Sequence, residues 1–443
     1  EKRLPTESEL DSLAPNHPVL IHYLYRETLL NTKAIEYFGY DQPGHVTYPG
    51  GTIEKDADGN STGRLLATPS GLLMYRTLAS APKLSITDQI NSSMQYMDEL
   101  NGLGITSVSD AGGGGMEFPD SDPYQVTRWM HERGLLTTRI GYHSFPQVKG
   151  EELSNYQEWT KTIRAGTGDD MLKFVGAGEN LNWAAYDFEI FKEARPDIDP
   201  DAEEILEKVM TVLGEGEWPF RQHVTYDETG DRLRPVYEKI AQGPGLTKGW
   251  LIDHVETFSE RNLERVAELG GGIALQNRLQ FQAEDFAALY GQEALGKTPN
   301  FRAIVDLGVP VGGGTDATRV TSYNPWFSIQ WMSTGLSRGG MRMYGDDNLL
   351  TREEALRVWT TGSAWFTGDA GRKGAITPGQ LADFAVLDRD YFAVTDAEIA
   401  KLQSELTVLG GEVVHAKGGF AHHDLKHIPP ISPDWSPVIF EDS

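Results

Sequence analysis

The chain has 443 residues, 39% of them hydrophobic, and carries 39 Lys+Arg against 65 Asp+Glu for a formal net charge of -26. That length supports a large core, one big domain plus an accessory one, and an acid surplus without a basic patch argues against nucleic acid or an anionic membrane surface as partner. Cysteine is absent, which excludes disulfides, thiolate nucleophiles and Cys-type zinc sites, so any metal must be held by His, Asp, Glu or a modified Lys.

The chain opens EKRLPTESEL, with no initiator Met, basic n-region or apolar h-region, so this is not a signal peptide. The expectation is that the true amino terminus lies upstream. Residues 1–80 read as an insertion packed on the main domain, turn-rich around DADGNSTG (56–63). The segment 86–104 then reads as an amphipathic helix. After it, short apolar runs alternate with helical stretches: GITSVSD (104–110), LLTTRIGYH (135–143), MLKFVG (171–176), PFRQHV (219–224), WLIDHV (250–255), GIALQ (272–276) and VPVGGGTD (309–316). The helix predicted over 259–271 starts at Ser259 as N-cap and stops at glycine. Seven such strands predict parallel βα units of an α/β fold, a (β/α)8 TIM-type barrel over residues 81–370 that lacks one strand. Beyond it, Thr351 and Glu354 form a capping box ahead of another helix. A Gly/Pro turn over 371–380 then feeds a strand, and SELTVLGGEVVHAKG (403–417) reads as a hairpin, so 371–443 is an accessory β unit and tail.

Catalytic groups of such barrels sit at the carboxyl ends of the strands. His223, His254 and Asp316 end three of these runs, and Lys173 sits inside a fourth. Imidazoles and a carboxylate on one rim suit Zn2+ or a similar divalent ion with an open position for water. Taken singly, either histidine reads as an ordinary core residue; on successive strands they read as metal ligands. Lys173 reads equally as a lysine snorkelling to the surface and as a carbamate bridging metals. Asp316 after three glycines either caps a turn or works in the site, and glycines that let substrate approach the backbone favour the second. His422, His423 and His427 read as a solvated tail.

The stretches LIDHVETFSERNLERVAELGGGIALQ, GVPVGGGTDATRVTSYNPW and LTREEALRVWTTGSAWFTGDAGRKGAITPGQLADFAVLD resemble the amidohydrolase superfamily, in the amidohydrolase-3 branch that includes N-substituted formamide deformylases. The resemblance implies a distorted (β/α)8 barrel beside a β-sandwich, of which the carboxyl-terminal half is present. It implies one or two divalent metals, most often zinc, that activate water to hydrolyse a C–N bond in a small molecule. Carried over by motif, His223 and His254 match the ligands after the fifth and sixth strands, Asp316 the aspartate after the eighth, and Lys173 the carbamate lysine of the fourth. Asp316 then serves as proton shuttle. Asn277, Arg278, Tyr323, Asn324 and Trp326 fall where they would line the substrate pocket, with ordinary loop packing as the equal alternative. The first-strand His-x-His pair of the family, in its PGFxDxHxH context, has no counterpart here, so a non-catalytic binding relative stands as the other reading. A homodimer is left open, and the cytoplasm is favoured over export.

Overall fold

The computed structural model describes residues 3–23, 26–41, 51–67, 72–112, 123–187, 191, 194–195, 197–318, 320–424, 428–431 and 433. His427 of the expected tail lies outside these residues. The chain divides into two compact units, Glu1–Gln89 with Pro430–Ser443, and Ile90–Pro429.

In the first unit, β1 (Leu20–Tyr23), β2 (Glu27–Leu30), β3 (Thr52–Lys55) and β4 (Ser61–Leu66) form an antiparallel sheet in the order β1-β2-β4-β3. The turn expected at 56–63 joins β3 to β4. Asp56 accepts the backbone N–H groups of Asp58 and Asn60, both at 2.9 Å, the local bonding that makes aspartate a turn former. Leu30, Ile35, Ile53, Leu65 and Leu73 close a small core of their own.

The second unit carries all seven expected strands: β5 (Ser107–Asp110), β6 (Arg139–Ser144), β7 (Leu172–Ala177), β8 (Arg221–Val224), β9 (Leu251–His254), β10 (Gly272–Gln276) and β11 (Val311–Gly314). They pair in parallel as β5-β6-β7 and β8-β9-β10-β11. A parallel bridge from Ala177 to Phe220 links the two sheets. The array is strongly curved, because Arg221 of β8 donates to Ser109 of β5 at 2.9 Å although two strands lie between them in pairing order. Helices alternate with the strands as the periodicity predicts: Ile86–Gly102 precedes β5 and Glu260–Glu268 follows β9. The capping box at Thr351 and Glu354 is formed.

One segment fills the concave side from the amino ends of the strands. Added β-carbons at Gly141, Gly272 and Gly312 would meet Thr367, Trp365 and Phe366 at 2.4 Å each. A single stretch therefore touches β6, β10 and β11, and glycine is required where it does. Phe366 also packs on Leu251 and Ala274. The remaining strands β12 (Phe384–Leu387), β13 (Ser404–Leu409) and β14 (Glu412–Ala416) form an antiparallel sheet. The expected Gly-Gly turn is present, with Gly410 at φ 60° and Gly411 at φ 89°. This sheet belongs to the same compact unit as the parallel strands, and Arg139 of β6 grips Asp383 at 2.6 and 2.8 Å.

Candidate metal centre

Parallel strands bring their carboxyl ends to a common rim, and the polar residues there meet. His223 lies one residue before the end of β8, His254 and Gln276 end β9 and β10, and Glu179 and Asp316 follow β7 and β11 by two residues. The backbone is unusual at this rim: His254, Val255 and Asp316 have φ of 80°, 49° and 52°. That region disfavours side chains with a β-carbon, and residues held in it cluster at functional sites.

Glu179, His223 and His254 each offer one donor atom such that all three lie within 4.8 Å of one another. The two rings stand 4.2 Å apart at 61°. His254 Nδ1 lies 2.5 Å from Gln276 Oε1. Gln276 Nε2 donates to Asp316 Oδ2 at 3.2 Å. That second bond orients the amide, because a carboxylate accepts only. His254 must then donate from Nδ1, and in the neutral ring the lone pair falls on Nε2. Nε2 is buried, 3.4 Å from Glu179 Oε2, and makes no hydrogen bond among the described residues. A neutral imidazole and a carboxylate that face each other are held by a cation between them, a proton in the metal-free site or a metal ion in its place. A divalent ion fits this donor set, with the other nitrogen of His254 held in the way metal-bound histidines usually are.

The electrostatics agree. Burial opposes charge on both rings, yet Asp187 and Glu179 push His223 up to about 9. For His254, burial and the neighbouring His223 oppose charge, while Glu179 and Glu256 still raise it to about 9. Glu179 is drawn down to about 2 against its burial by His254, His223 and Arg221. The carboxylates around the two rings thus favour positive charge at this site, which a divalent ion would supply. Asp316 behaves oppositely: crowding around its carboxyl group and the Glu179 charge push it up to about 6. Its residue surface is exposed, but the carboxylate is turned inward to Gln276.

Of the residues singled out in the sequence, His223, His254 and Asp316 come together. Lys173 does not. It lies near the amino end of β7, and its ammonium donates to Asp369 Oδ1 at 2.8 Å. The β7 residue that reaches the cluster is Glu179, so the structure corrects the position read from the sequence. Arg278 is buried in an ion pair with Glu256, and its charge acts on Asp316. Asn277 is buried beside it, accepting from Thr321 Oγ1 at 3.0 Å. Its Nδ2 has no hydrogen bond among the described residues.

The other three expected pocket residues serve the scaffold. Asn324 caps the helix Pro325–Thr334, Trp326 is buried and donates to Leu103 O at 3.1 Å, and Tyr323 donates to Glu99 at 2.6 Å. Packing explains two of the three glycines of β11. A β-carbon on Gly312 would meet Phe366 at 2.4 Å and one on Gly313 would meet Trp359 at 2.6 Å, whereas at Gly314 the nearest atom is 4.0 Å away. His422 and His423 are exposed and contact each other, ring centroids 4.0 Å apart.

The sequence reading passed over Glu179, Gln276 and Asp187. Glu179 in GAGEN follows an apolar strand through glycine just as Asp316 does, and Gln276 ends GIALQ; both carried a usable signal. Asp187 sits in a long connection and carried none.

Comparison with known proteins agrees with this geometry. The amidohydrolase family model matches residues 1–415. The putative amidohydrolase YtcJ of Bacillus subtilis (strain 168) is 24% identical over 431 residues, 93% of this chain and 77% of that protein. The N-substituted formamide deformylase of Arthrobacter pascens is 24% identical over 441 residues, 95% of this chain and 77% of that protein. Among solved structures, an uncharacterized metal-dependent hydrolase from Pyrococcus horikoshii OT3 superposes with a TM-score of 0.65 at 18% identity, covering 89% of this chain and 76% of that one. Atrazine chlorohydrolase TrzN from Arthrobacter aurescens TC1, complexed with zinc, gives 0.52 at 16% identity, covering 84% and 80%. With the family model running through the parallel strands and every member of the Glu179, His223 and His254 cluster, the chain belongs to the amidohydrolase family and is a metal-dependent hydrolase acting on carbon–nitrogen bonds.

Proposed function

We propose that this chain hydrolyses an amide or formamide-like C–N bond in a small molecule, with a divalent ion held by Glu179, His223 and His254 and with Asp316 as proton shuttle. The curved strand array supports a (β/α)8-type barrel as the scaffold. The observation that carries the reading is the buried Nε2 of His254, aimed at Glu179 with no hydrogen bond among the described residues. Zinc is the ion we favour, since two imidazoles and a carboxylate match its preferred ligands and a structural neighbour is complexed with it. The name of the Arthrobacter pascens relative supports a formamide-like substrate.

When bound, such an ion makes water more acidic and polarises a carbonyl oxygen. Asp316 does the proton work. Gln276 fixes one carboxylate oxygen, so the other is the one that accepts the proton of the attacking water and returns it to the leaving nitrogen. Its raised proton affinity suits a group that must both take and give. Asn277 Nδ2, a buried donor beside the rim, supports a contact with the substrate carbonyl or amide, and Arg278 supplies positive charge from below.

The test is elemental analysis of the purified protein, followed by chelation and reconstitution with zinc, using N-alkylformamides as first substrates. The reading expects metal in the protein and activity that vanishes and returns with it. Activity that survives exhaustive chelation would overturn it.

A further inference from the structure

The connection that follows β7 supplies more than Glu179. Trp183 lies in it, its ring N–H donating to Pro146 O at 2.9 Å and its main-chain N–H to Glu152 Oε1 at 3.1 Å. Asn182 fixes the turn that carries it, accepting from Ala184 N at 2.7 Å and donating to Ala202 O at 2.7 Å. Phe145 comes from the neighbouring strand end, one residue beyond β6. Its ring lies over two glycines, since added β-carbons at Gly112 and Gly178 would meet it at 2.7 and 2.8 Å. The ring centroids of Phe145 and Trp183 are 6.0 Å apart at 64°, and those of Trp183 and Tyr186 6.1 Å apart at 44°. Tyr186 in turn stacks on the His223 ring at 4.1 Å and 22°. An aromatic row therefore runs along the rim and ends on a metal ligand.

Phe145, Trp183 and Tyr186 are all half-buried, so each keeps part of its surface in water although its neighbours hold it in place. Rigid apolar surface of that kind gains when another apolar group covers it. Along the rim the order is Phe145 after β6, Trp183 and Tyr186 after β7, His223 on β8, His254 and Gln276 at the ends of β9 and β10, and Asp316 after β11. The row and Asp316 therefore flank the two histidines. Asp316 returns its proton to the leaving nitrogen, which places that nitrogen on its own side of the ion and the acyl substituent on the side of the row. We infer that Phe145, Trp183 and Tyr186 form a subsite for the acyl group of the substrate, and that the group they take ends in a planar apolar ring. This subsite rests on the function proposed above and narrows it to amides, because a formamide carries only hydrogen at that position.

The test uses a reversed pair of isomeric amides, N-methyl-2-phenylacetamide with its ring on the acyl side and N-benzylacetamide with the same ring on nitrogen. Zinc-loaded wild type should favour the first by about 10-fold or more in kcat/KM, and Trp183→Leu and Phe145→Leu should bring that ratio down towards one. Equal or reversed preference in wild type, or a preference that both variants keep, would overturn the subsite, while hydrolysis of either amide leaves the proposed function standing. Binding is read separately by calorimetry with phenylacetate and acetate. Phenylacetate should bind wild type about 10-fold more tightly or better, and Trp183→Leu should lose most of that gain. Equal binding of the two acids would overturn the subsite even where neither amide is turned over. Should the variants not fold, the two wild-type comparisons decide. A wild type that binds no metal and hydrolyses no amide would overturn the proposed function and the subsite with it.

Discussion

Replacing Lys173 by methionine keeps the aliphatic stem and removes the ammonium that Asp369 holds at 2.8 Å. Asp369 is not left bare, because Arg372 lies at 3.0 Å, Lys373 at 3.1 Å and Thr367 Oγ1 at 2.6 Å. Against its burial, Lys173, Thr367 and Lys373 draw Asp369 down from 3.8 to about 2, a preference for the ionised form of about 2 kcal/mol in all. Lys173 is one contributor among several, so its loss should cost about 1–2 kcal/mol, below the ~3–5 kcal/mol of a pair whose survivor is stranded. In a unit of this size that lowers Tm by about 1–3 °C. Asp369 stabilises the fold above its unfolded value of 3.8 and loses that effect as pH falls towards about 2, so the acid loss should be shallower in the variant. Because Lys173 and the metal cluster sit at opposite ends of their strands, metal content and kcat should not change. Calorimetry with elemental analysis of Lys173→Met checks this, with Glu179→Gln as the partner variant that should lose metal. A Lys173→Met protein with native Tm but no metal would refute the reasoning and return Lys173 to the site.

Three further outcomes are expected. Asp316→Asn keeps an oxygen for Gln276, so it should retain its metal while kcat falls by about 100-fold or more; the acid limb of its kcat/KM profile, which in wild type lies at or below about 6, should flatten, and a wild-type rate would exclude the shuttle role. Gly313→Ala drives a β-carbon to within 2.6 Å of the Trp359 indole and should cost about 1–3 kcal/mol in denaturant unfolding, whereas Gly314→Ala has room for its β-carbon and should cost clearly less. Burial and the nearby Arg221 hold His143 down to about 3 from 6.5; its unfolded form therefore gains a proton first as pH falls, stability should drop from about 6.5 towards 3, and His143→Gln should flatten that slope.

The strands were legible because each is a short apolar run closed by glycine or a polar residue, and that same pattern exposed His223, His254 and Asp316. Lys173 misled because position along a strand decides which end a side chain serves. β7 begins at Leu172, so a lysine one residue later is at the wrong end, while Glu179 beyond the strand is at the right one. Asn324, Pro325 and Trp326 carry the signature of a helix start, an Asn cap followed by proline at the first position, and the structure uses them so. The grip of Asp187 on His223 joins positions 36 residues apart, and no local periodicity records such a contact. The requirement for Gly312 and Gly313 was visible as glycine but not as packing, since the aromatic residues that impose it lie about fifty positions downstream.

Thr367, Trp365 and Phe366 lie against Gly141, Gly272 and Gly312 of β6, β10 and β11. These three consecutive residues act as a keystone, because close packing passes a shift in any of them to strands far apart in the chain. Substitutions within the stretch should therefore be felt by several strands together rather than by one at a time.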